Sequence, residues 1–230
     1  MSSEPRPCFE DLPLRERKRA RTRLALLDAL LSRIGPRGID QIPVKELCAE
    51  VEISEVTFFK HFPAKSDLLT YFIQLWTIEM AWHANQAAQL QGSGLEAIGE
   101  VFARTAQDAA QNIDIMLEII AHQARMPKNL ALPGVSAAER LLRFPGLAGV
   151  KSLPAEGLES ILPRFLRTAI EQRELPPSSD IASLTLALSC VFFGVPLCVG
   201  RHDPAAIAPL YRQQLALVWA GARYAQGEGQ

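Results

Sequence analysis

The segment from residue 181 to residue 200 contains no charged side chain, and it restricts the possible folds of this chain more than any other feature. As an α-helix its 20 residues extend about 30 Å, which is enough to cross a bilayer. In a soluble protein a helix that is apolar on all sides is covered on all sides, here by the chain's own core and by a partner helix. Asp180 stands where a basic flank would be expected, and Ser183, Thr185 and Ser189 interrupt the segment. We therefore expect a buried helix of a dimer, with a membrane span as the alternative.

Helical periodicity extends over the rest of the chain. Apolar residues in Arg15–Ile34 recur at intervals of three and four, and Gly35 and Pro36 follow as a helix end. No segment alternates apolar and polar residues in the way a half-buried strand does. Hydrophobic residues make up 48% of the chain, which is enough for a core. The pattern predicts an all-α fold with helices at about residues 15–34, 44–51, 55–62, 67–90, 95–112, 113–125, 136–144, 156–173, 180–199 and 204–225.

The charge of the chain is balanced overall and uneven locally. The 24 basic and 25 acidic residues give a net charge of −1, which excludes a basic nucleic-acid coat protein. The densest positive cluster, Arg15–Arg23, holds six basic residues and one acidic residue. A charge cluster alone usually marks a solvated face. Binding to nucleic acid would have to come from local clustering of this kind.

The four cysteines indicate a reducing compartment. No two of Cys8, Cys48, Cys190 and Cys198 have the spacing of a C-x-x-C motif, and four thiols in 230 residues do not form a disulfide scaffold. The first 14 residues contain acidic side chains and no apolar run, so we expect no secretory signal. The expected location is the cytoplasm.

Two short predicted helices are separated by only three residues, Glu52, Ile53 and Ser54. Ser54 is a good N-cap for the second helix, and Pro63 ends it. Two short helices joined by such a tight turn predict a helix-turn-helix. The second helix of this motif can enter the major groove of DNA and present its N-terminal side chains to base edges.

The stretch Val44–Leu69, VKELCAEVEISEVTFFKHFPAKSDLL, resembles the DNA-binding signature of the TetR-family transcriptional regulators. The resemblance covers about residues 15–70, including the basic first helix. Beyond it only the helical pattern agrees. The matching residues are Leu47, Ile53, Ser54, Thr57, Phe59, His61, Phe62, Pro63, Lys65 and Leu68.

Three positions depart from the family pattern. Glu52 replaces a glycine at the turn, and a positive φ there would cost on the order of 1–2 kcal/mol. Val56 replaces a second glycine, inside the recognition helix, and its bulk restricts the approach to DNA. Phe59 replaces a tyrosine and has no hydroxyl for a phosphate, so we interpret Phe59 as a packing residue.

The predicted DNA-contacting residues combine groups for base edges with donors for the backbone. Thr57 can bond to a base or touch a thymine methyl, and Glu55 can accept from a cytosine amino group. Lysine and histidine side chains would approach phosphates, and the basic first helix would add attraction that does not depend on sequence. The full predicted set is Lys45, Ser54, Glu55, Thr57, Phe58, Lys60, His61 and Lys65.

The resemblance also implies the organisation of the remainder. Residues 1–14 would be a flexible arm, 15–65 the three-helix DNA-binding domain, 66–225 a larger helical domain for effector binding and dimerisation, and 226–230 a flexible tail. The last two long helices of each subunit would form a four-helix dimer interface. Its predicted residues are Leu184, Leu188, Val191, Phe192, Val195, Leu217 and Trp219.

Aromatic and methionine side chains recur along the middle helices. Such a stripe is usually core, but the resemblance implies that it also lines a mostly apolar effector cavity. The predicted lining is Phe72, Trp76, Met80, Phe102, Met116, Ile120 and Phe165. Asp114, Glu118 and His122 share one helical face, for which we expect salt bridges or solvation rather than a metal. We expect no metal and no cofactor.

Together these features predict a homodimeric, ligand-responsive DNA-binding regulator. Its expected partners are a near-palindromic DNA operator and a small, largely apolar effector. We expect a repressor. A helical carrier of small molecules without a DNA target is the first alternative. An enzyme is the second, although no nucleophile, base and orienting group form a recognisable local pattern. A protein with a single membrane span is the third.

Overall fold

The structure, a computed structural model, describes residues 8–35, 38–126 and 134–224. Within these ranges it contains ten α-helices and no β-strand, which confirms the predicted all-α fold. Residues 1–7 of the predicted arm and the predicted tail 226–230 lie outside the described residues. The helices are α1 (Leu14–Leu31), α2 (Val44–Glu50), α3 (Glu55–His61), α4 (Asp67–Gln91), α5 (Gly94–Gln111), α6 (Ile113–Arg125), α7 (Ala137–Arg143), α8 (Leu158–Glu171), α9 (Ile181–Val199) and α10 (Ile207–Tyr224).

Helices α1–α3 form a helix-turn-helix unit around a fully buried apolar core. The sequence places Leu26, Leu27 and Leu30 on the inner face of α1, and all three are completely covered. Leu47 of α2 and Phe58 of α3 pack on the same core. The cluster continues without a break into α4 and α6. The helix-turn-helix unit therefore shares its core with the larger helical region.

Helix α5 lies tightly against α8 because its first residue is glycine. A Cβ at Gly94 would overlap the backbone of Phe165 and Ala169 in α8. The N-terminus of α5 is capped by the Ser93 hydroxyl, which accepts from the amide of Glu96 at 3.0 Å. Glu174 accepts from the amide of Gly94 at 2.7 Å, so the free amides at this helix end are satisfied.

An aromatic cluster joins α5, α9 and α10. The ring of Phe102 lies 5.4 Å from that of Phe192 and 4.9 Å from that of Tyr211, both edge to face. The Tyr211 hydroxyl donates to the backbone oxygen of Phe192 at 2.6 Å. Leu188 is fully buried in the same core. These contacts fix one face of α9 inside the subunit.

The opposite face of α9 is exposed, which corrects part of the predicted dimer interface. Leu188 and Phe192 were expected to face a partner, but they belong to the subunit's own core. Leu184, Val191 and Val195 are only partly buried and pack against that core. Leu186 and Leu197 are exposed instead, together with Leu217 of α10 as predicted and a partly covered Trp219. Each residue of an α-helix is rotated by about 100° from the one before it, so residue 186 lies about 160° around the helix axis from residue 188. Leu186 therefore faces outward when Leu188 faces the core.

Candidate nucleic-acid interface and effector cavity

The turn between α2 and α3 is held by local hydrogen bonds. Glu52 has φ of 55°, so this residue adopts the left-handed conformation whose cost applies to a non-glycine residue at the turn. The amide of Ile53 donates to the Cys48 oxygen at 3.0 Å and closes the end of α2. Ser54 caps α3, with its hydroxyl accepting from the amide of Thr57 at 3.1 Å. The same hydroxyl lies 2.9 Å from the Thr57 hydroxyl, so the two polar side chains satisfy each other.

Helix α3 has an aromatic inner face and a mixed outer face. Phe58 is 0% exposed, and Phe62 just beyond the helix end is also buried. The outer face carries Val56, which is 67% exposed, and Phe59, which is 48% exposed. Four exposed side chains therefore stand on the outer side of this seven-residue helix: Glu55, Val56, Phe59 and Lys60.

A buried ion pair ties α1 to α7 behind the recognition helix. Arg23 is 3% exposed and its Nη1 lies 2.9 Å from Oε1 of Glu139, which is 1% exposed. The guanidinium stacks on the rings of Phe62 and Tyr71, with centroids at 4.8 and 4.3 Å. The Tyr71 hydroxyl donates to the same carboxylate at 3.0 Å. The buried charge is thus paired, hydrogen-bonded and covered by rings.

Only part of the basic cluster at the start of α1 is free to face a ligand. Arg23 is committed to the ion pair with Glu139. Arg17 and Arg21 form salt bridges with Glu10. Three exposed cations remain in the cluster, namely Arg15, Lys18 and Arg19. Arg19 lies near the end of α3, where burial and then the charge of Arg19 lower the pKa of His61.

A cavity of about 300 Å³ lies between α1, α4, α5, α6, α7, α8 and α9. Its apolar wall includes Leu27 of α1, so the helix-turn-helix unit contributes directly to it. The other apolar or aromatic side chains in the wall are Phe72, Ile73, Leu75, Trp76, Ala109, Ile115, Met116, Ile119, Leu158, Phe192 and Phe193.

The cavity also has polar walls. Glu79 and Asp108 face it from α4 and α5, and Arg143 faces it from the end of α7. Burial raises the pKa of both carboxyls, and the charge of Asp108 raises that of Glu79 further. Arg143 Nη1 lies 3.1 Å from Oδ1 of Asp28 on α1. The amide side chains in the lining are Gln111, Asn112 and Gln123.

Solved structures with a similar fold include Thermus thermophilus FadR, a TetR-family transcriptional repressor in complex with lauroyl-CoA. The TM-score is 0.62 at 18% sequence identity, over 86% of this chain and 94% of that one. The chain has the fold of the TetR-family regulators. A second structure, from work on the control of antibiotic production by a bacterial hormone, gives a TM-score of 0.53 at 20% identity, over 92% of this chain and 100% of that one. No protein-family model and no curated protein matches the sequence.

Within this TetR fold, one predicted DNA-contacting residue is wrong. Phe58 was expected to reach the groove and Phe59 to pack, but the structure reverses these positions. Phe58 and Phe62 are four residues apart and lie one above the other on the inner face, whereas Phe59 is turned by about 100° to the outside. The Phe59 ring contacts Phe58 edge to face at 5.2 Å.

Hydrogen bonds limit what one further predicted residue offers to DNA, and burial limits another. Lys65 Nζ donates to the backbone oxygens of Ile42 at 2.7 Å and Asp40 at 3.4 Å, so it anchors the segment before α2. His61 is half-buried, and burial followed by the charges of Arg19 and Arg23 lowers its pKa. A neutral histidine is a hydrogen-bond donor rather than a cation. Lys45 and Lys60 are exposed.

Of the seven residues predicted to line an effector cavity, Phe72, Trp76 and Met116 lie in the wall of this cavity and the other four do not. Met80, Phe102 and Phe165 are buried in the core beside α5, α8 and α10. On α6 the lining residue is Ile119 rather than Ile120, because adjacent helical residues differ by about 100°. The polar lining was missed, since Glu79, Asp108 and Arg143 lie on three different helices.

The acidic and histidine face predicted on α6 is divided among separate partners. Asp114 forms a salt bridge with Arg201 at 3.5 Å. His122 Nε2 lies 2.8 Å from the Thr70 hydroxyl. Glu118 lies against Gly38, where a Cβ would overlap its carboxylate. Among the described residues no group of three metal-ligating side chains is found.

Proposed function

We propose that the protein is a homodimeric, ligand-responsive DNA-binding regulator that acts in the cytoplasm as a repressor. Each subunit would place α3 in the major groove, and a ligand in the cavity would release the pair of subunits from a near-palindromic operator. FadR, with a similar fold, is a repressor and was solved with lauroyl-CoA. That likeness supports the general kind of function.

The observation that carries the proposal is the outer face of α3. This short helix presents four exposed side chains while Phe58 and Phe62 anchor its inner face. Exposed cations also lie on the two preceding helices, at Lys45 on α2 and at Arg19 on α1. A short helix with a buried aromatic base and exposed cations on the neighbouring helices fits the width and the charge of a major groove.

The exposed apolar face of α9 and α10 supports a second copy as partner. Leu186, Leu197 and Leu217 are exposed in the single subunit. Helix α9 is long and apolar enough to cross a membrane by length and composition. Its inner face is nevertheless seated on an aromatic protein core, so only one side remains to be covered. Pairing through this face would hold two α3 helices about 34–36 Å apart, as successive grooves require.

Helix α7 gives the cavity a physical connection to the helix-turn-helix unit. Arg143 lines the cavity and pairs with Asp28 of α1. One turn earlier, Glu139 pairs with Arg23 of the same helix. A ligand whose bulk displaces Arg143 from Asp28 would loosen one of the two ion pairs between α7 and α1. Such a ligand shifts the equilibrium only by its difference in affinity for the two arrangements.

The walls of the cavity define the effector class. An apolar body would cover Phe72, Trp76 and Met116. A polar end would have to meet the carboxyls of Glu79 and Asp108, because a buried polar group without a partner is costly. The effector is therefore an amphipathic small molecule whose polar end donates hydrogen bonds.

DNA binding is tested by selecting duplexes from a random library and measuring their affinity at several salt concentrations. Lys60→Ala should weaken binding to all selected duplexes and reduce the salt dependence by about one phosphate contact. Lys151→Ala, an exposed lysine outside the helix-turn-helix unit, is the matched control and should leave both unchanged. Absence of any selected duplex would contradict the proposal and favour the carrier, for which the cavity alone is sufficient.

Dimerisation is tested by light scattering of a charged variant. Leu186→Glu should convert the dimer to a monomer, because a carboxylate would be buried between two α9 helices. Leu90→Glu, at the exposed end of α4, is the control and should remain dimeric. A wild-type monomer, or a Leu186→Glu variant that stays dimeric, would overturn the assignment of this face.

A further inference from the structure

The outer face of α3 carries two apolar side chains that the core does not use. Val56 is 67% exposed and Phe59 is 48% exposed. They are three residues apart, so they are neighbours on the helix surface. The edge-to-face contact with Phe58, at 82° between the planes, holds the Phe59 ring in place. Single exposed apolar residues are common on proteins, but here two of them lie together on a helix of seven residues.

The polar groups beside this pair contribute little to hydrogen bonding with bases. The hydroxyls of Ser54 and Thr57 bond to each other, and Ser54 also caps the helix. Glu55 offers only acceptors, and Lys60 is placed one residue beyond Phe59 toward the helix end. The surface at the centre of α3 is therefore apolar, with charges at its edges.

The charges around this surface favour DNA as the occupant over an apolar protein partner. Lys60 is exposed on α3 itself. Arg19 lies close enough to His61 for its charge to lower the histidine pKa, so the basic start of α1 reaches the end of α3. An apolar strip bordered by cations matches a groove floor bordered by phosphates.

Among the four bases, thymine alone presents a methyl group in the major groove. An aliphatic and an aromatic side chain that cover this methyl group bury apolar surface and so strengthen binding. Against the other bases they would cover amino or carbonyl groups and leave them without hydrogen bonds. We propose that Val56 and Phe59 read thymine through its C5 methyl, so that each operator half-site carries thymine opposite α3. This inference rests on the proposed insertion of α3 into the major groove.

The test replaces thymine by deoxyuridine, one position at a time, in a duplex selected by the wild-type protein. Deoxyuridine keeps every hydrogen-bonding group and removes only the methyl. At one or two positions in each half-site, affinity should fall roughly 3- to 10-fold, as expected for one buried methyl group. Because this arm uses the wild-type protein, it does not depend on the folding of any variant.

Two variants then assign the contact. In Val56→Ala and Phe59→Ala the difference between thymine and deoxyuridine should disappear at the position that each side chain covers, which is a double-mutant cycle across the interface. Lys60→Ala is the control and should weaken both duplexes equally. Both apolar residues are exposed, so the melting temperatures of the variants should stay close to that of the wild type.

The outcomes separate this inference from the function on which it rests. If no duplex is bound, the proposed function fails and the inference fails with it. If a duplex is bound and deoxyuridine changes its affinity at no position, DNA binding stands and methyl recognition is wrong. A difference that persists in both alanine variants would also overturn the assignment to Val56 and Phe59.

Discussion

Part of the cavity wall belongs to the same cluster of buried side chains as the helix-turn-helix unit, but the two regions are packed differently. Around Arg23 the rings of Phe62 and Tyr71 stack on the guanidinium, and Phe58 is completely covered. Next to Tyr71, Phe72 faces a space of about 300 Å³. Close-packed interiors transmit force, whereas a void can change its shape when a ligand enters. The difference indicates where a ligand can act and which part it would move as a rigid body.

The side of α7 that faces the helix-turn-helix unit should be the most sensitive to mutation. Glu139→Ala leaves the charge of Arg23 buried without its partner, so we expect a loss of about 3–5 kcal/mol in the free energy of unfolding. Asp28→Ala removes one member of the other ion pair between the same two helices, in which both side chains are exposed, and should cost at most about 1 kcal/mol. Urea unfolding measures both. Equal losses in the two variants would show that the buried and the exposed ion pair contribute equally, which would contradict the difference in packing.

Replacing phenylalanines by alanine should distinguish the filled core from the cavity wall through the loss in the free energy of unfolding. Phe58→Ala removes a fully covered ring and should destabilise the protein by about 3–5 kcal/mol. Phe72→Ala, which enlarges a space that already exists, should cost clearly less. Phe59→Ala, on the exposed side of α3, should be close to neutral. A Phe59→Ala loss as large as that of Phe58→Ala would contradict the orientation of α3.

The same contrast determines how much the sequence could predict. Helix positions and the Ser54 cap depend on neighbouring residues, and the structure confirms them. The orientation of Phe58 and Phe59 was mistaken because two adjacent aromatic residues fit an inner face equally well until the core is known. The partner of Arg23 could not be found, since Glu139 is local to it only in the folded chain.

The residues that line the cavity could not be predicted, because they are set by contacts between helices that are far apart in the sequence. A shift of one residue exchanges Ile120 for Ile119 in the wall. Whether an apolar side chain lines a void or fills the core also depends on how seven helices cross rather than on the type of the side chain. The polar walls have the same origin, because the carboxyls of Glu79 and Asp108 come together only when α4 and α5 pack.

Two alanines on α5 offer a direct measure of the void. Ala109 lines the cavity and Ala106 does not, although both are buried. Ala106→Leu should cost about 1–3 kcal/mol through overpacking. Ala109→Leu should instead be neutral or add about 0.5–2 kcal/mol by filling space. It should also abolish binding of N-phenyl-naphthylamine, a neutral apolar fluorescent probe. If both variants are destabilised alike, the space at Ala109 is not available to a ligand.

The smallest expected effect concerns the polar wall. Burial and then the charge of Asp108 raise the pKa of Glu79 above its ordinary value of 4.5. A carboxyl with a raised pKa destabilises the folded state only while it is ionised, so the cost is present above the raised pKa and disappears as the pH falls through it. Glu79→Gln should therefore give a small rise in melting temperature at about pH 7, and this gain should vanish toward the ordinary value. Glu96→Gln, on the exposed side of α5, corrects for the change in net charge. A gain that grows as the pH falls would mean that the ionised carboxylate stabilises the fold, and the polar end of the effector would then need to be an acceptor placed against Arg143.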